Sequence, residues 1–144
     1  MFLQTSKYLN PISEWGCYFC VILALAEKVS GRVFTAPEVL ELWLRNAREG
    51  DLDFESTVKN PAGLLADLPG GLVFLGWKSA DYELGEGEFA ALRWKHPVTG
   101  FIHFTLGNPR EGGWDPLGIS KTASEGFVLD MRVFKVGPQN EGGS

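Results

Sequence analysis

Apolar residues recur about one helical turn apart early in the chain, at Cys17, Val21, Leu25 and Val29. Gly31 follows as a stop signal, so the spacing predicts a helix over about residues 16–29. Most sides of this helix are apolar, which indicates a central, buried position in the fold.

Two further helices are marked by their start signals. Thr35 and Glu38 form a capping-box pattern, and the apolar positions that follow share one face, which predicts a helix over 36–48. Asn60 and Pro61 have the cap residue and first-turn proline of a short third helix that ends near residue 68. The first half of the chain is therefore predicted to be helical.

The pattern changes after Gly70 to short segments rich in Val, Phe, Ile, Leu and Trp, separated by Gly and Pro. These segments predict strands at 71–77, 88–95, 101–106, 127–130 and 132–136. Helices followed by strands predict an α+β fold, with the N-terminal helices packed on a C-terminal antiparallel sheet. We expect one domain over 1–136 and a polar, disordered tail over 137–144.

The composition is that of a globular domain, with 44% hydrophobic and 22% charged residues in a chain of 144. The net charge is −5, and no basic cluster marks a nucleic-acid partner or a membrane surface. The apolar, uncharged stretch 15–26 is too short to cross a bilayer, and no secretory signal pattern is visible. We therefore expect cytoplasmic synthesis and no stable membrane insertion.

The chain has two cysteines and two histidines, too few for a disulfide scaffold. Cys17 stands at the predicted start of the buried helix, where the helix dipole and the free N–H groups favour a thiolate. A reactive thiolate needs a base, normally a histidine, that is oriented by a carboxylate or an amide. We expect these partners to lie far from Cys17 in sequence and close to it in the fold.

His103 fits the role of this base, because it lies in an alternating segment where a strand can hold the imidazole. Asp115 follows after a loop that can return its carboxylate to the ring, and Gln4 is an amide that can donate to an oxyanion. Candidates for the walls of a substrate cleft are Trp15, Tyr18 and Trp114.

The segment Trp15–Val21 (WGCYFCV), followed by an apolar helix, resembles the nucleophile motif of the papain-like C39 and C39-like cysteine peptidases. The pair His103-Phe104 resembles the catalytic His-Phe strand of that family, and Asp115-Pro116 resembles its third member. Gln4 has the approximate position of the family's oxyanion glutamine, and the order Gln, Cys, His, Asp is the family's order. The resemblance spans about residues 3–136.

This resemblance implies a papain-like domain that hydrolyses an amide bond through a thioester acyl-enzyme. It implies that Cys17 attacks the carbonyl carbon, His103 carries the proton and Asp115 orients the ring, while Gln4 and the Cys17 N–H bind the oxyanion. The implied substrate is a peptide or peptidoglycan, and no cofactor or metal is needed. A phage-type endolysin, which acts on the cell wall after release, fits these expectations. The sequence carries no signal for an oligomeric state.

Other interpretations of the same residues stay open. Cys17 can be a structural thiol, or Cys17 and Cys20 can form a redox pair, although no βαβ pattern surrounds them. The two cysteines with His96 and His103 would make a zinc site of unusual ligand spacing. Tyr18-Phe19 is bulkier than the residues common after the family's nucleophile, and would favour an inactive binding or toxin module if it closed the cleft.

Ordinary structural roles are expected for several neighbours of these candidates. Cys20 is expected to pack against the sheet, and His96 is expected to be an exposed turn residue and the reserve candidate for the base. Asp115 can instead cap a turn with the proline that follows it. The alternating acidic residues of 51–55 lack the glycine of a calcium loop, so a solvated loop is expected there.

Overall fold

A computed structural model of the protein describes residues 17–52 and 58–137. The helices are α1 (Cys17–Ser30), α2 (Ala36–Arg48), α3 (Pro61–Ala66) and α4 (Lys121–Glu125), with a 3-10 turn over Pro109–Glu111 before α4. The strands are β1 (Leu72–Ser79), β2 (Glu88–Lys95), β3 (Ile102–Leu106) and β4 (Phe127–Val136). The predictions for Gln4, Trp15 and residues 138–144 lie outside the described residues.

The four strands form one open antiparallel sheet in the order β1-β4-β2-β3. This arrangement confirms the α+β class and the antiparallel sheet. The last strand of the chain is inserted between β1 and β2, so β1 and β3 become the edges. Two breaks in register give the sheet local irregularity, one between Phe74 and Gly76 and the other between Arg93 and Trp94.

The prediction of two separate strands at 127–130 and 132–136 is wrong, because β4 runs without a break from Phe127 to Val136. The polar residues at its middle do not end the strand. Asp130 pairs through its backbone with β1 and β2, and its carboxylate accepts hydrogen bonds from Arg93. A charged residue can remain in a central strand when its charge is neutralised by a neighbour across the ladder.

Helix α1 lies in the main core, as its apolar pattern predicts. Nine consecutive residues, Tyr18–Ala26, are buried, and α1 packs mainly against β3. Apolar residues of the same sheet face join this core, together with Val39 and Trp43 from α2 and Leu64 from α3. The N-terminal helices therefore share one apolar layer with the C-terminal sheet.

A second, smaller core on the other face of the sheet contains α4, which the sequence pattern does not predict. Ala123 of α4 packs there with Trp94, Met131 and other sheet residues. The helix has five residues, fewer than two turns, so it shows no recognisable apolar period. Its local signal is Ser120, whose side chain accepts from the Ala123 N–H at 3.2 Å as an N-cap.

Two expected surface positions are buried instead. His96 does belong to a turn, but its ring is inside, where Nδ1 accepts from the backbone N–H groups of Val98 and Thr99. Asp51 is buried at the start of the loop expected to be solvated, and its carboxylate accepts from the Asn60 amide at 3.1 Å. Both side chains accept hydrogen bonds from nearby donors, and these bonds compensate for the hydrogen bonds with water that burial removes.

The capping box at the start of α2 forms as its sequence predicts. The Glu38 N–H donates to Thr35 Oγ1 at 3.3 Å, and the Thr35 N–H donates to Glu38 Oε1 at 3.2 Å. We predict that Thr35→Ala lowers the free energy of unfolding by about 1 kcal/mol, because an orphan N–H of the first turn loses its acceptor. Urea denaturation measures the change.

The matched control for this substitution is Thr35→Ser, which keeps the hydroxyl acceptor and should retain most of the stability. Equal losses of stability in the alanine and serine variants would contradict a contribution from the cap.

Candidate functional site

His103 and Asp115 form a buried pair beside the edge strand β3. His103 Nε2 lies 2.7 Å from Asp115 Oδ1, and both side chains are almost completely inaccessible to solvent. An isolated backbone bridge between Leu106 and Trp114 returns the chain to β3 just before Asp115. The twelve-residue separation in sequence therefore becomes a direct contact, as the spacing predicts.

The carboxylate of Asp115 is held by two further donors. Ser120 Oγ donates to Oδ2 at 2.6 Å, and the Leu117 N–H donates to Oδ1 at 2.8 Å. Burial alone would raise the pKa of Asp115, but the hydrogen bonds from His103, Ser120 and Leu117 outweigh burial and lower it. Asp115 therefore stays ionised behind the imidazole, and its contacts fix the carboxylate in position.

The thiol of Cys17, the first residue of α1, is within hydrogen-bonding reach of the same imidazole. Burial alone would lower the pKa of His103, but hydrogen bonds with Asp115 and Cys17, together with their charges, raise it to about 9. Since Nε2 faces Asp115, Nδ1 is the ring nitrogen that remains for the thiol. An imidazole with a carboxylate on one ring nitrogen can accept a proton from a thiol on the other, which is the arrangement that nucleophilic catalysis by cysteine requires.

The other cysteine and the other histidine have different environments. Cys20 is fully buried in the main core, and this burial, with a smaller contribution from Cys17, raises the pKa of its thiol. Its position agrees with the expected packing role. His96 Nε2 lies 3.2 Å from Glu125 Oε1 at the turn before β3. The histidines therefore have separate partners, and the reserve assignment of His96 as the base is not needed.

A cleft of about 570 Å³ opens beside Cys17. Phe19 is fully buried in the core and does not enter this cleft. Tyr18 forms part of the wall and stacks on Phe104, with ring centroids 4.7 Å apart and an angle of 23° between the planes. The two bulky residues after Cys17 therefore leave space for a ligand next to the thiol.

Three cationic side chains also line this cleft, namely Lys59, Arg93 and Arg132. Arg93 donates to both oxygens of Asp130, at 2.9 and 2.5 Å, and Arg132 Nη1 donates to Oδ1 of the same carboxylate at 3.0 Å. The guanidinium of Arg132 stacks on Trp77, with its Cζ 3.6 Å from the ring centroid. The lining of the cleft thus combines positive charge with aromatic surface.

The structure does not bring Trp114 into the cleft beside Cys17. Trp114 lines a second cleft of about 340 Å³ with Ala24, Glu27 and Lys28 of α1. These helix residues lie about two to three turns beyond Cys17, or roughly 10 to 17 Å along the helix axis. The backbone bridge between Leu106 and Trp114 holds Trp114 beside this part of α1, although Trp114 directly precedes Asp115 in sequence.

A family model described as "Protein of unknown function, DUF261" matches residues 1–136. The chain belongs to the DUF261 family. No curated protein and no solved structure matches it.

Sequence reasoning did not identify Ser120 or Arg132 as parts of the DUF261 site. Ser120 has a visible signal as a helix cap, but its second hydrogen bond, to Asp115, depends on the tertiary structure. Arg132 is a basic residue directly between the apolar Met131 and Val133, which is unusual for a buried position. That local mismatch is the signal that could have drawn attention to it.

Among residues 17–52 and 58–137, no group of three or more His, Cys, Asp and Glu side chains could hold a metal ion. The alternative zinc set is not assembled there, since His96 and His103 have separate partners and Cys20 is in the core. Within the same ranges, none of the helices has the length and apolar character needed to span a membrane.

We predict that Asp115→Asn lowers the pKa of His103 from about 9, because the variant loses the carboxylate charge and a strong hydrogen-bond acceptor. In the native protein, the ion pair contributes its full stabilisation at pH values below 6.5, the ordinary pKa of histidine. This contribution is lost as the pH rises through the raised pKa of about 9. NMR titration of the His103 ring protons measures both proteins.

The chain has two histidines, so a His96→Gln variant assigns the two ring signals and serves as the control for this titration. His103 signals that titrate near 6.5 in both the native protein and Asp115→Asn would contradict the pairing.

Proposed function

We propose that this DUF261 chain is a papain-like cysteine hydrolase that cleaves an amide bond. One observation carries the proposal: the imidazole of His103 lies between the Cys17 thiol and the buried carboxylate of Asp115, beside a cleft large enough for a peptide segment. A structural thiol needs neither a paired histidine nor an adjoining cleft. The order of the three residues in the chain also resembles that of the papain-like peptidases.

The first half of the reaction forms a thioester. The Cys17 thiolate attacks the carbonyl carbon, and the carbonyl electron pair moves to the oxygen to form a tetrahedral oxyanion. Backbone N–H groups at the start of a helix can stabilise this negative charge, and Gln4 is the second donor that the sequence suggests. When the oxyanion collapses, the C–N bond breaks and the imidazolium of His103 gives its proton to the leaving amine.

The second half releases the acid and restores the enzyme. Neutral His103 accepts a proton from water while the water oxygen attacks the thioester carbonyl. Collapse of this second tetrahedral intermediate breaks the C–S bond and regenerates the Cys17 thiolate beside the imidazolium. Asp115 keeps the ring oriented in both halves and stabilises its positive charge, because it remains ionised and held by Ser120 and Leu117.

We propose a peptide substrate, with peptidoglycan stem peptides or cross-bridges, the substrates of an endolysin, as the first class to test. The stacked rings of Tyr18 and Phe104 line the cleft and offer an aromatic surface against which an extended peptide can pack. The open cleft favours catalysis over an inactive binding or toxin module. The deep burial of Cys20 disfavours a redox pair, since a buried thiol in apolar surroundings is unreactive.

The decisive experiment compares Cys17→Ala with Cys20→Ala on purified bacterial sacculi and on a mixed peptide pool. We expect Cys17→Ala to lower turnover by about 10³-fold or more, because the covalent intermediate can no longer form. Cys20→Ala should keep its turnover, since that thiol lies in the core and takes no part in the reaction. Mass spectrometry of product ends identifies the bond that is cut.

Alkylation with iodoacetamide at pH 7 provides an assay that needs no substrate. We expect rapid and selective modification of Cys17 in the native protein, and slower modification in His103→Gln because the thiolate loses its imidazolium partner. His96→Gln is the matched control and should label at the native rate. Turnover that survives Cys17→Ala, or slow and equal labelling of both cysteines, would refute the proposal.

A further inference from the structure

The cleft beside Cys17 has a local charge opposite to that of the whole protein. The chain has a net charge of −5, yet the described residues that line this cleft include Lys59, Arg93 and Arg132 and no acidic residue. The carboxylate of Asp130 lies behind the two arginines and can neutralise only one of them. The arrangement therefore leaves a net positive charge facing the space next to the thiol.

Arg132 carries this charge in a fixed orientation. The residue is 7% exposed, and its guanidinium lies over the rings of Trp77, Phe104 and Tyr18, with Cζ 3.6, 4.7 and 5.5 Å from the ring centroids. Aromatic stacking restricts the guanidinium plane and limits the entropy lost when it binds a ligand. The partial removal of water also strengthens any interaction of this charge with an anion.

Most donors of Arg132 have no acceptor in the described part of the chain. A guanidinium has five N–H donors, and one hydrogen bond, from Nη1 to Asp130, is made there. Arg93 differs, because two of its nitrogens already bind both oxygens of Asp130. No nitrogen of Arg132 is among the buried, unpartnered side-chain atoms of the described residues, so its unused donors reach the cleft, where water or a ligand can accept from them.

We propose that Arg132 binds a carboxylate of the substrate next to the bond that Cys17 attacks, so that the cleft selects acidic substrates. The planar fork of a guanidinium matches the two oxygens of a carboxylate. The carboxylate can belong to an acidic side chain or to the end of a peptide chain, since both present the same group. This inference rests on the proposed function, because it assumes that the reacting group enters the cleft beside Cys17.

Two alkylating reagents of similar size test the charge of the cleft without any substrate. Iodoacetate is an anion and iodoacetamide is neutral, and both transfer a substituted methyl group to the thiolate sulfur with loss of iodide. The measured quantity is the rate of Cys17 modification by iodoacetate divided by the rate of its modification by iodoacetamide. We expect this ratio to fall about threefold or more in Arg132→Met, and the native ratio to fall as salt screens the charge.

Asp130→Asn removes a negative charge next to Arg93 and Arg132, whereas Arg132→Met removes a positive charge. Loss of the carboxylate removes the counter-charge that both arginines share among the described residues, so the preference for iodoacetate should rise. Damage to the fold would not raise the preference in one variant and lower it in the other. The matched control is Arg48→Met, an exposed arginine near the end of α2 that does not line the cleft, and its ratio should equal the native one.

The outcomes separate this inference from the proposed function. Selective labelling of Cys17 with a ratio that is unchanged in Arg132→Met and Asp130→Asn would overturn the carboxylate site and leave the hydrolase proposal intact. A ratio that falls in both variants would also overturn it. Absence of selective labelling would contradict the proposed function and this inference together. If Arg132→Met does not fold, two other variants test the inference. The rate ratio of iodoacetate to iodoacetamide should then rise in Asp130→Asn and fall in Arg93→Met.

Matched peptides then identify the source of the carboxylate. One pair has Glu or Gln beside the bond cleaved in the pool experiment, and the other has a free or an amidated C-terminus. We expect kcat/KM to be about tenfold or more higher for the carboxylate member of one pair, and this advantage to disappear in Arg132→Met. Equal cleavage within both pairs by the native protein would overturn the inference.

Discussion

The packing of α1 against the edge strand β3 determines where the candidate site lies. Nine consecutive buried residues leave the helix no freedom to slide or rotate, because any shift would expose apolar surface or create overlaps in a dense core. Cys17, the first residue of α1, is consequently held at one place on the sheet edge, where His103 of β3 meets it. The thiol keeps partial exposure while the residues that follow are inside.

Two buried ionic groups near Cys17 are satisfied to different degrees. Asp115 receives hydrogen bonds from His103, Ser120 and a backbone N–H, so its negative charge is fully compensated. Arg132 shares one carboxylate with Arg93 and otherwise lies against aromatic rings. Low local polarity strengthens the first arrangement, whereas the second leaves guanidinium donors open to the cleft. We infer a positioning role for the carboxylate and a ligand-binding role for the guanidinium.

Local patterns predicted much of this structure. Helical spacing identified α1, the capping box identified α2, and Pro61 marked the start of α3, although the Asn60 side chain binds Asp51 and does not cap that helix. Strand composition located β1, β2 and β3. Chemical reasoning about thiolates predicted that Cys17 and His103 have a shared role, and the loop after β3 suggested Asp115. The helix predictions succeed because caps and stop signals depend on residues close in sequence. The contact between His103 and Asp115 is confirmed, and the shared role of Cys17 and His103 stays a prediction.

Other features could not be read locally. The five-residue α4 is too short to show a period, and β4 is continuous because Arg93 neutralises Asp130 across the sheet. Trp114 is adjacent to Asp115 in sequence, yet it lies about two helical turns of α1 away from the thiol, at the level of Ala24. Each outcome depends on a partner far away in the chain, which no short window of sequence contains.

The sequence by itself determined the class of the fold and the buried first helix, and it narrowed the candidates for a reactive thiol and imidazole to Cys17 and His103, because these follow from periodicity and from the scarcity of cysteine and histidine. The tertiary structure alone decided the strand order, the support of Asp115 by Ser120 and the gathering of Arg93, Asp130 and Arg132 at the cleft. The physical reason is that register and strand insertion bring distant residues within hydrogen-bond distance. Hydrogen bonds between buried groups set their charge states, as in the pair of His103 and Asp115. Where one carboxylate serves two arginines, some guanidinium donors remain available for a ligand.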